Sequence, residues 1–284
     1  MRRNIFRGVG LTGVILLAAL FLFSIYQDNE NSRKESAGEE VDAALFVATE
    51  ELFYDGSGGL DLMEGVTARS SDGRDLTSQV NALLTGDGSG NRKQIRYTVF
   101  SPSGQAVTEK RTLVLENYQG PEITVSDHLE LEAENLNDLI AVLKERGEIE
   151  GSDGYGRDIT DQITWYREKI SDGRYQLTFS LDNVFLDHAE CQVQAHISGE
   201  VQDLTISLLE NKIEIPAGSE FSPWDYLEAV NDPSFGSIAD RVQIQSMVNT
   251  AVPGSYSVVY TAVSLDGTQR AQAVLQVTVT GGTQ

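Results

Sequence analysis

Cysteine and histidine are nearly absent from this chain: one cysteine and three histidines in 284 residues. A single Cys191 excludes any intrachain disulfide. A structural zinc site takes four Cys or His ligands, so it would have to gather Cys191, His128, His188 and His196 at one point. No H-E-x-x-H occurs, and His188-Ala189-Glu190 lacks the P-C-x-x-C partner of a zinc deaminase. The three histidines are therefore read as surface or edge residues. Asp55-Gly56-Ser57-Gly58-Gly59 has the wrong order for a serine-protease loop, and no histidine precedes it. Neither G-x-x-x-x-G-K-[ST] nor a G-x-G-x-x-G in a strand-to-helix setting is present, which removes support for nucleotide binding. No enzymatic constellation is left, and an enzyme is not expected.

Basic residues are also scarce. Lys and Arg number 21 against 43 Asp and Glu, a net charge of −22. Arg2, Arg3 and Arg7 account for three of the basic residues and are followed at once by residues 8–26, GVGLTGVILLAALFLFSIY, which carry no charge. The acidic remainder repels phosphate backbones, so nucleic acid is excluded as a partner.

The uncharged run spans about 28 Å as a helix, close to a bilayer's hydrocarbon thickness. Basic residues on its N-terminal side alone place residues 1–7 in the cytoplasm and the rest outside. This predicts a single transmembrane signal anchor at residues 8–26. A cleaved signal peptide is the competing reading, but its apolar stretch is usually shorter and ends at small residues, whereas this run ends in Phe21, Leu22, Phe23, Ile25 and Tyr26. Residues 27–43 are polar and acidic and read as a linker.

The remainder repeats. Gly73-Arg74-Asp75-Leu76-Thr77-Ser78-Gln79-Val80 recurs as Gly156-Arg157-Asp158-Ile159-Thr160-Asp161-Gln162-Ile163, and more loosely as Gly236-Ser237-Ile238-Ala239-Asp240-Arg241-Val242. A second motif follows each: Ile95-Arg96-Tyr97-Thr98-Val99-Phe100, Gly173-Arg174-Tyr175-Gln176-Leu177-Thr178-Phe179 and Gly254-Ser255-Tyr256-Ser257-Val258-Val259-Tyr260. Two motifs in register at a period of about 80 residues mark a repeat architecture. Alternating segments open the units at 123–125 and 204–208 and close them at 107–115, 191–197 and 273–279, the signature of half-buried strands. Turn residues cluster between them, with Thr85–Asn91 read as a loop. One helix is expected from an Asn135 cap through Leu136, Leu139, Ile140 and Leu143 to near Gly147. Residues 223–230 are a candidate for a short helix at the equivalent place.

The succession of these motifs resembles the bacterial Ig-like repeats of Gram-positive surface proteins over residues 44–280. The third unit, with GSYSVVYTAVSLDG before AQAVLQVTVT, carries the closest likeness. The second lacks the D-x-x-G turn after its tyrosine strand, having Ser180-Leu181-Asp182-Asn183-Val184 there. The resemblance implies an all-β fold of three tandem Ig-like antiparallel β-sandwiches, at 44–118, 119–200 and 201–284, exposed at the cell surface. It implies no particular ligand.

Within that frame the acidic loops offer oxygen donors for calcium, with Asp72, Asp75, Asp158 and Asp161 as metal candidates beside Asp153 and the Asp87/Asn91 pair. Their spacing does not match an EF-hand loop, and a turn-stabilising role through backbone hydrogen bonds is the plainer reading. No cofactor is required. Trp165, Tyr166, Trp224 and Tyr226 are candidates for a sugar-stacking surface, or else for core and junction residues. Tyr97, Tyr175 and Tyr256 are read as packing across the sandwiches, and Cys191 as a small buried hydrophobe. The expected function is a membrane-anchored surface stalk and adhesive module with a protein or glycan partner. The alternative is an extracytoplasmic subunit of a larger envelope assembly that docks through its transmembrane helix, where Gly8, Gly10 and Gly13 would permit close packing. The short junctions at 117–122 and 198–203 predict limited bending.

Overall fold

The computed structural model describes residues 42–281. The anchor expected at 8–26 lies outside them. Among the described residues no helix is long and apolar enough to cross a membrane.

Strand dominates. The first repeat holds β1 (Ala43–Val47), β2 (Glu51–Tyr54), β3 (Val66–Ser70), β4 (Asn81–Ser89), β5 (Arg92–Phe100) and β6 (Ala106–Leu115). The second holds β7 (Glu122–Val125), β8 (His128–Glu132), β9 (Ile149–Ser152), β10 (Thr164–Ser171), β11 (Arg174–Asp182) and β12 (His188–Ser198). The third holds β13 (Thr205–Leu208), β14 (Lys212–Pro216), β15 (Leu227–Asp232), β16 (Gly236–Ser237), β17 (Gln243–Ser246), β18 (Gly254–Val263) and β19 (Gln269–Thr280). Two compact units divide the chain. One comprises residues up to Glu50, Met63–Leu83 and Arg96–Arg111; the other comprises Glu51–Leu62, Leu84–Ile95 and Thr112–Gln284.

In the larger unit, small sheets face larger ones across apolar cores. The β7–β9 pair lies over β10-β11-β12-β8, and β13-β15-β16 lies over β14-β19-β18-β17. Leu177, Phe179, Leu181 and Val193 on the period-two faces of β11 and β12 fill the first core with Ile123 and Ile149 from the smaller sheet. Val258, Tyr260, Leu275 and Val277 fill the second with Leu204 and Val230. In the smaller unit β1 pairs with β3, and Ala68, Leu76 and Val99 form the core.

The pairing is not wholly antiparallel as expected. In every repeat the opening segment breaks into two strands, and the second half pairs in parallel with the closing strand: Leu52 opposite Leu113, Leu129 opposite Ala195, Ile213 opposite Val277. The breaks fall at polar residues, Ser126-Asp127 and Glu210-Asn211 among them, where the chain crosses from one sheet to the other. Two further expectations shift. The 85–91 segment is not a loop: β4 runs on to Ser89, with Thr85 donating to the Gln94 carbonyl at 3.3 Å. The helix begins as a 3-10 stretch, Ala133–Asp138, capped by Glu132 and Asn135 together, and becomes α1 (Leu139–Glu145), ending before Gly147 at φ +67°. The expected helix at 223–230 is one 3-10 turn, Pro223–Tyr226, after which β15 begins.

The repeated motif builds one local structure three times. Leu76, Ile159 and Ile238 precede 3-10 turns at Thr77–Gln79, Thr160–Gln162 and Ala239–Arg241. Each donates its backbone N–H to the strand eight residues back, on Ala68, Gly151 and Val230. In the first two repeats the threonine hydroxyl also accepts the strand's own N–H, at 3.0 Å from Ala68 and 2.8 Å from Gly151. Asp75 and Asp158 accept the Thr77 and Thr160 amides at 2.9 Å. A second turn closes the tyrosine strand in each repeat, with Gly104, Leu186 and Gly267 donating to the carbonyls of Ser101, Asn183 and Ser264. Gly104 and Gly267 have φ of +88° and +79°; Leu186 adopts φ +63° in the same place. The second repeat thus keeps the turn geometry that its sequence lacks the glycine for, at the expense of a strained, 55% exposed leucine. Leu186→Gly is expected to stabilise the chain by about 1 kcal/mol, less the glycine's unfolded-state entropy. Urea denaturation measures this, and a destabilised variant would mean that Leu186 packs productively.

Candidate binding cleft

The alternation of β10 puts Trp165 and Arg167 on one face and Tyr166 and Glu168 on the other. Trp165 joins the second repeat's core. Arg167, at 6% exposure, is therefore carried below the surface by the strand it sits on. A buried guanidinium needs acceptors, and they come from the segment leading into the third repeat. Its Nη2 donates to the Gln202 carbonyl at 2.9 Å and lies 3.7 Å from Asp203 Oδ1. Asp203 also receives the Tyr175 hydroxyl at 3.1 Å, and Lys169 Nζ stands 3.2 Å away. Burial pulls the Arg167 guanidinium below its ordinary pKa, and the Asp203 charge pushes it back. Burial, then Asp203, pushes the Tyr175 hydroxyl up.

At the same point the sheets of two repeats join. β10 pairs in parallel with β19, Arg167 opposite Gln269 and Glu168 opposite Arg270, and the Arg167 amide donates to Thr268 at 2.9 Å. Gln269 is buried and accepts the Leu204 amide at 2.7 Å. The result is one continuous sheet from β17 to β8. Where β10 and β19 part, a cleft of about 360 Å³ opens, bordered by Arg167, Lys169, Asp203, Thr205, Arg270 and Gln272. The Arg270 guanidinium lies 5.5 Å over the Tyr166 ring, and its Nε is 3.6 Å from Glu168, too long for a hydrogen bond. The buried Nε atoms of Arg167 and Arg270 have no acceptor among the described residues.

A second lock lies in the same compact unit. Tyr54, Tyr118, Tyr155 and Phe185 bring their rings to centroid distances of 5.3–6.0 Å. Asn183 donates to the Tyr118 hydroxyl at 2.6 Å, which donates to Asp187 Oδ2 at 2.6 Å; Asp187 Oδ1 pairs with the buried Lys93. Arg157 donates to the Tyr54 hydroxyl at 2.7 Å and to the carbonyls of Gly56 and Gly58. Burial, followed by the Asp187 hydrogen bond, pushes the Tyr118 phenol up; burial and neighbouring Tyr54 take Tyr155 up to about 12. Glycine is required at 56 (φ +84°), where a Cβ would stand 2.3 Å from the Tyr155 ring.

The acidic candidates are each engaged locally. Asp72 accepts from Ser70 and from the Arg74 amide, and Asp75 from the Thr77 amide; both belong to the smaller unit. Asp158 and Asp161 belong to the larger one and share Lys144, whose Nζ is 3.1 and 2.9 Å from them. Asp153 is buried and accepts the Tyr155 and Arg157 amides. No group of three or more His, Cys, Asp or Glu among the described residues is placed to hold a metal ion. His188 pairs with Asp182 at 2.9 Å. Cys191 packs against the second repeat's core, where burial raises its thiol pKa. The aromatic candidates are dispersed: Trp165 is inward, Tyr166 lies under Arg270, Trp224 is 54% exposed, and Tyr226 stacks on Phe221 at 5.8 Å. Tyr97 and Tyr175 are buried as expected, while Tyr256 is partly exposed and donates to the Val252 carbonyl at 2.9 Å.

Arg167, Asp203, Lys93 and Asp187 were not singled out by the sequence reading. A signal existed for one of them, since alternation from Trp165 turns Arg167 inward. The others meet across long stretches of chain.

Asp158 gives a pH-dependent signature. The Thr160 hydroxyl and amide, then Lys144, hold its carboxyl down to about 2, from an ordinary value of 3.8. A carboxylate depressed on folding adds stability above its unfolded pKa, and that stability is lost as pH falls through the folded value. Between about pH 4 and 2, Asp158→Asn should lose less melting temperature than the parent chain; equal losses would remove Asp158 from the acid transition.

A family model described as "Bacterial surface protein, Ig-like domain" matches residues 208–279, which supports the resemblance seen in the third repeat. Among curated proteins none matches. Solved structures with similarity include the lipoprotein BT2262 from Bacteroides thetaiotaomicron, 27% identical over 28% of this chain and 39% of that one, at TM-score 0.25. Another is the M60 catalytic domain with CBM51-1 and CBM51-2 domains from Clostridium perfringens ZmpB, 10% identical over 85% of this chain and 31% of that one, at 0.26. A third is the human desmocollin-1 ectodomain, 11% identical over 85% and 62%, at 0.19. The chain spans about a third of the length of the first two. At these TM-scores the likenesses carry no statement about fold or ligand.

Proposed function

We propose that this chain is a membrane-anchored bacterial surface protein whose residues 44–118, 119–200 and 201–284 form three Ig-like domains, serving as a stalk and a binding module rather than as an enzyme. The observation that carries this reading is the match of the third repeat to a bacterial surface Ig-like domain. The repeated 3-10 turns and parallel strand pairs support extending that domain type to the first two repeats. The stalk role draws support from the two locks, each of which ties loops of one repeat to strands of the one before it. The anchor rests on the uncharged run at 8–26 behind three arginines. A protein or glycan at the cell surface is the partner class this arrangement serves.

The test is protease shaving of intact Gram-positive cells expressing the full chain with a C-terminal epitope tag. The tag should be lost from intact cells at protease levels that spare cytoplasmic proteins. A tag protected until lysis would overturn the reading.

A further inference from the structure

Three cationic side chains, Arg167, Lys169 and Arg270, border one cleft in a region of sequence where 18 basic residues face 43 acidic ones. Two acids share the cleft and are already engaged. Asp203 is held by Arg167, Lys169 and Tyr175, and Glu168 faces Arg270. Lys169 is also 3.3 Å from the exposed Asp172. Two guanidinium Nε–H donors, one on an arginine only 6% exposed, lack acceptors among the described residues. A buried donor without an acceptor is costly, and a carboxylate matches a guanidinium with two oxygens at once. The rest of the lining mixes Thr205 and Gln272, both exposed and hydrogen-bonding, with the apolar Leu204, Ile206 and Ala271, beside the Arg270–Tyr166 pair. The volume, about 360 Å³, falls at the small end of ligand sites. It suits one or two sugar rings, whose hydroxyls Thr205 and Gln272 can bond.

We propose that this cleft binds a carboxylated sugar residue of an acidic polysaccharide, with Arg270 and Arg167 meeting the carboxylate and Lys169 adding charge. The proposal rests on reading the chain as a surface binding module and names the ligand class of that module.

The probe is trigalacturonate, with neutral galactotriose and a glutamate-rich peptide as comparisons, titrated calorimetrically into the full chain in detergent. Trigalacturonate should bind and galactotriose should not. Raising the salt from about 50 mM to 0.5 M should weaken binding as the charges are screened. Arg270→Gln should weaken it at least about tenfold, the scale of one charge-assisted hydrogen bond. Lys169→Gln, at a half-exposed site, gives a second reading if the first variant melts early. Absence of trigalacturonate binding, equal binding of the neutral trimer, or equal binding of the peptide would each overturn the proposal. Surface display is scored separately by shaving, which Arg270→Gln should leave unchanged, so failure of one reading is distinguishable from failure of the other.

Discussion

Arg167 sits where a strand's alternation carries it almost wholly out of water, and a cation in that position must be answered by acceptors or moved. The answer comes from the next repeat's leading segment: the Gln202 carbonyl and the Asp203 carboxylate. Those bonds fix where residues 202–204 run, and Leu204, held by Gln269, then enters the third repeat's core. The parallel pairing of β10 with β19 follows from the same placement. A buried ion pair of this kind is a poor source of net stability, because desolvation offsets the attraction. Its consequence is specificity of junction geometry. A hydrophobic pair would tolerate sliding; a guanidinium, a lysine and a phenol that converge on one carboxylate do not.

The same logic runs through each repeat on a smaller scale. A buried polar residue stands at the strand end before each 3-10 turn: Ser70, Asp153 and Asp232. Another stands at the start of the turn after the tyrosine strand: Ser101, Asn183 and Ser264. Each gathers backbone amides that the turns leave without strand partners, as Asp232 does for Ser234, Phe235 and Leu265. In the second repeat these hubs also aim outward functions. Asn183 orients the Tyr118 hydroxyl that holds Asp187, and Asp153 shapes the loop that presents Tyr155. The cleft at the seam opens where two sheets join for two residues and then diverge.

What was legible in the sequence was local. The G-R-D-[LI]-T motif reports its own turn, because the aspartate, threonine and backbone groups involved lie within about ten residues of each other. The long closing strands follow from period-two patterning in the same way. The splitting of each opening strand was not legible, since its second half is positioned by a partner some 60 residues away. The reach of β4 to Ser89 was hidden by a composition rich in glycine and serine that ordinarily marks a loop. The aromatic cluster was missed because Tyr54, Tyr118, Tyr155 and Phe185 share no spacing, and each resembles an ordinary core or turn residue when read alone. The metal candidates illustrate the reverse: carboxylates that look available in sequence are already spoken for by amides, hydroxyls and Lys144 in the fold.

Successive repeats in the larger unit are fused by the Arg167 seam rather than strung on a flexible tether. Native-state hydrogen exchange at the seam amides reads that fusion out. The Arg167 amide, bonded to Thr268, and the Leu204 amide, bonded to Gln269, should exchange as slowly as core amides of β11 and β18, because opening them requires the sheet to separate. Exchange at those two positions on the timescale of open loops, with the cores still protected, would mean that the repeats are tethered rather than fused.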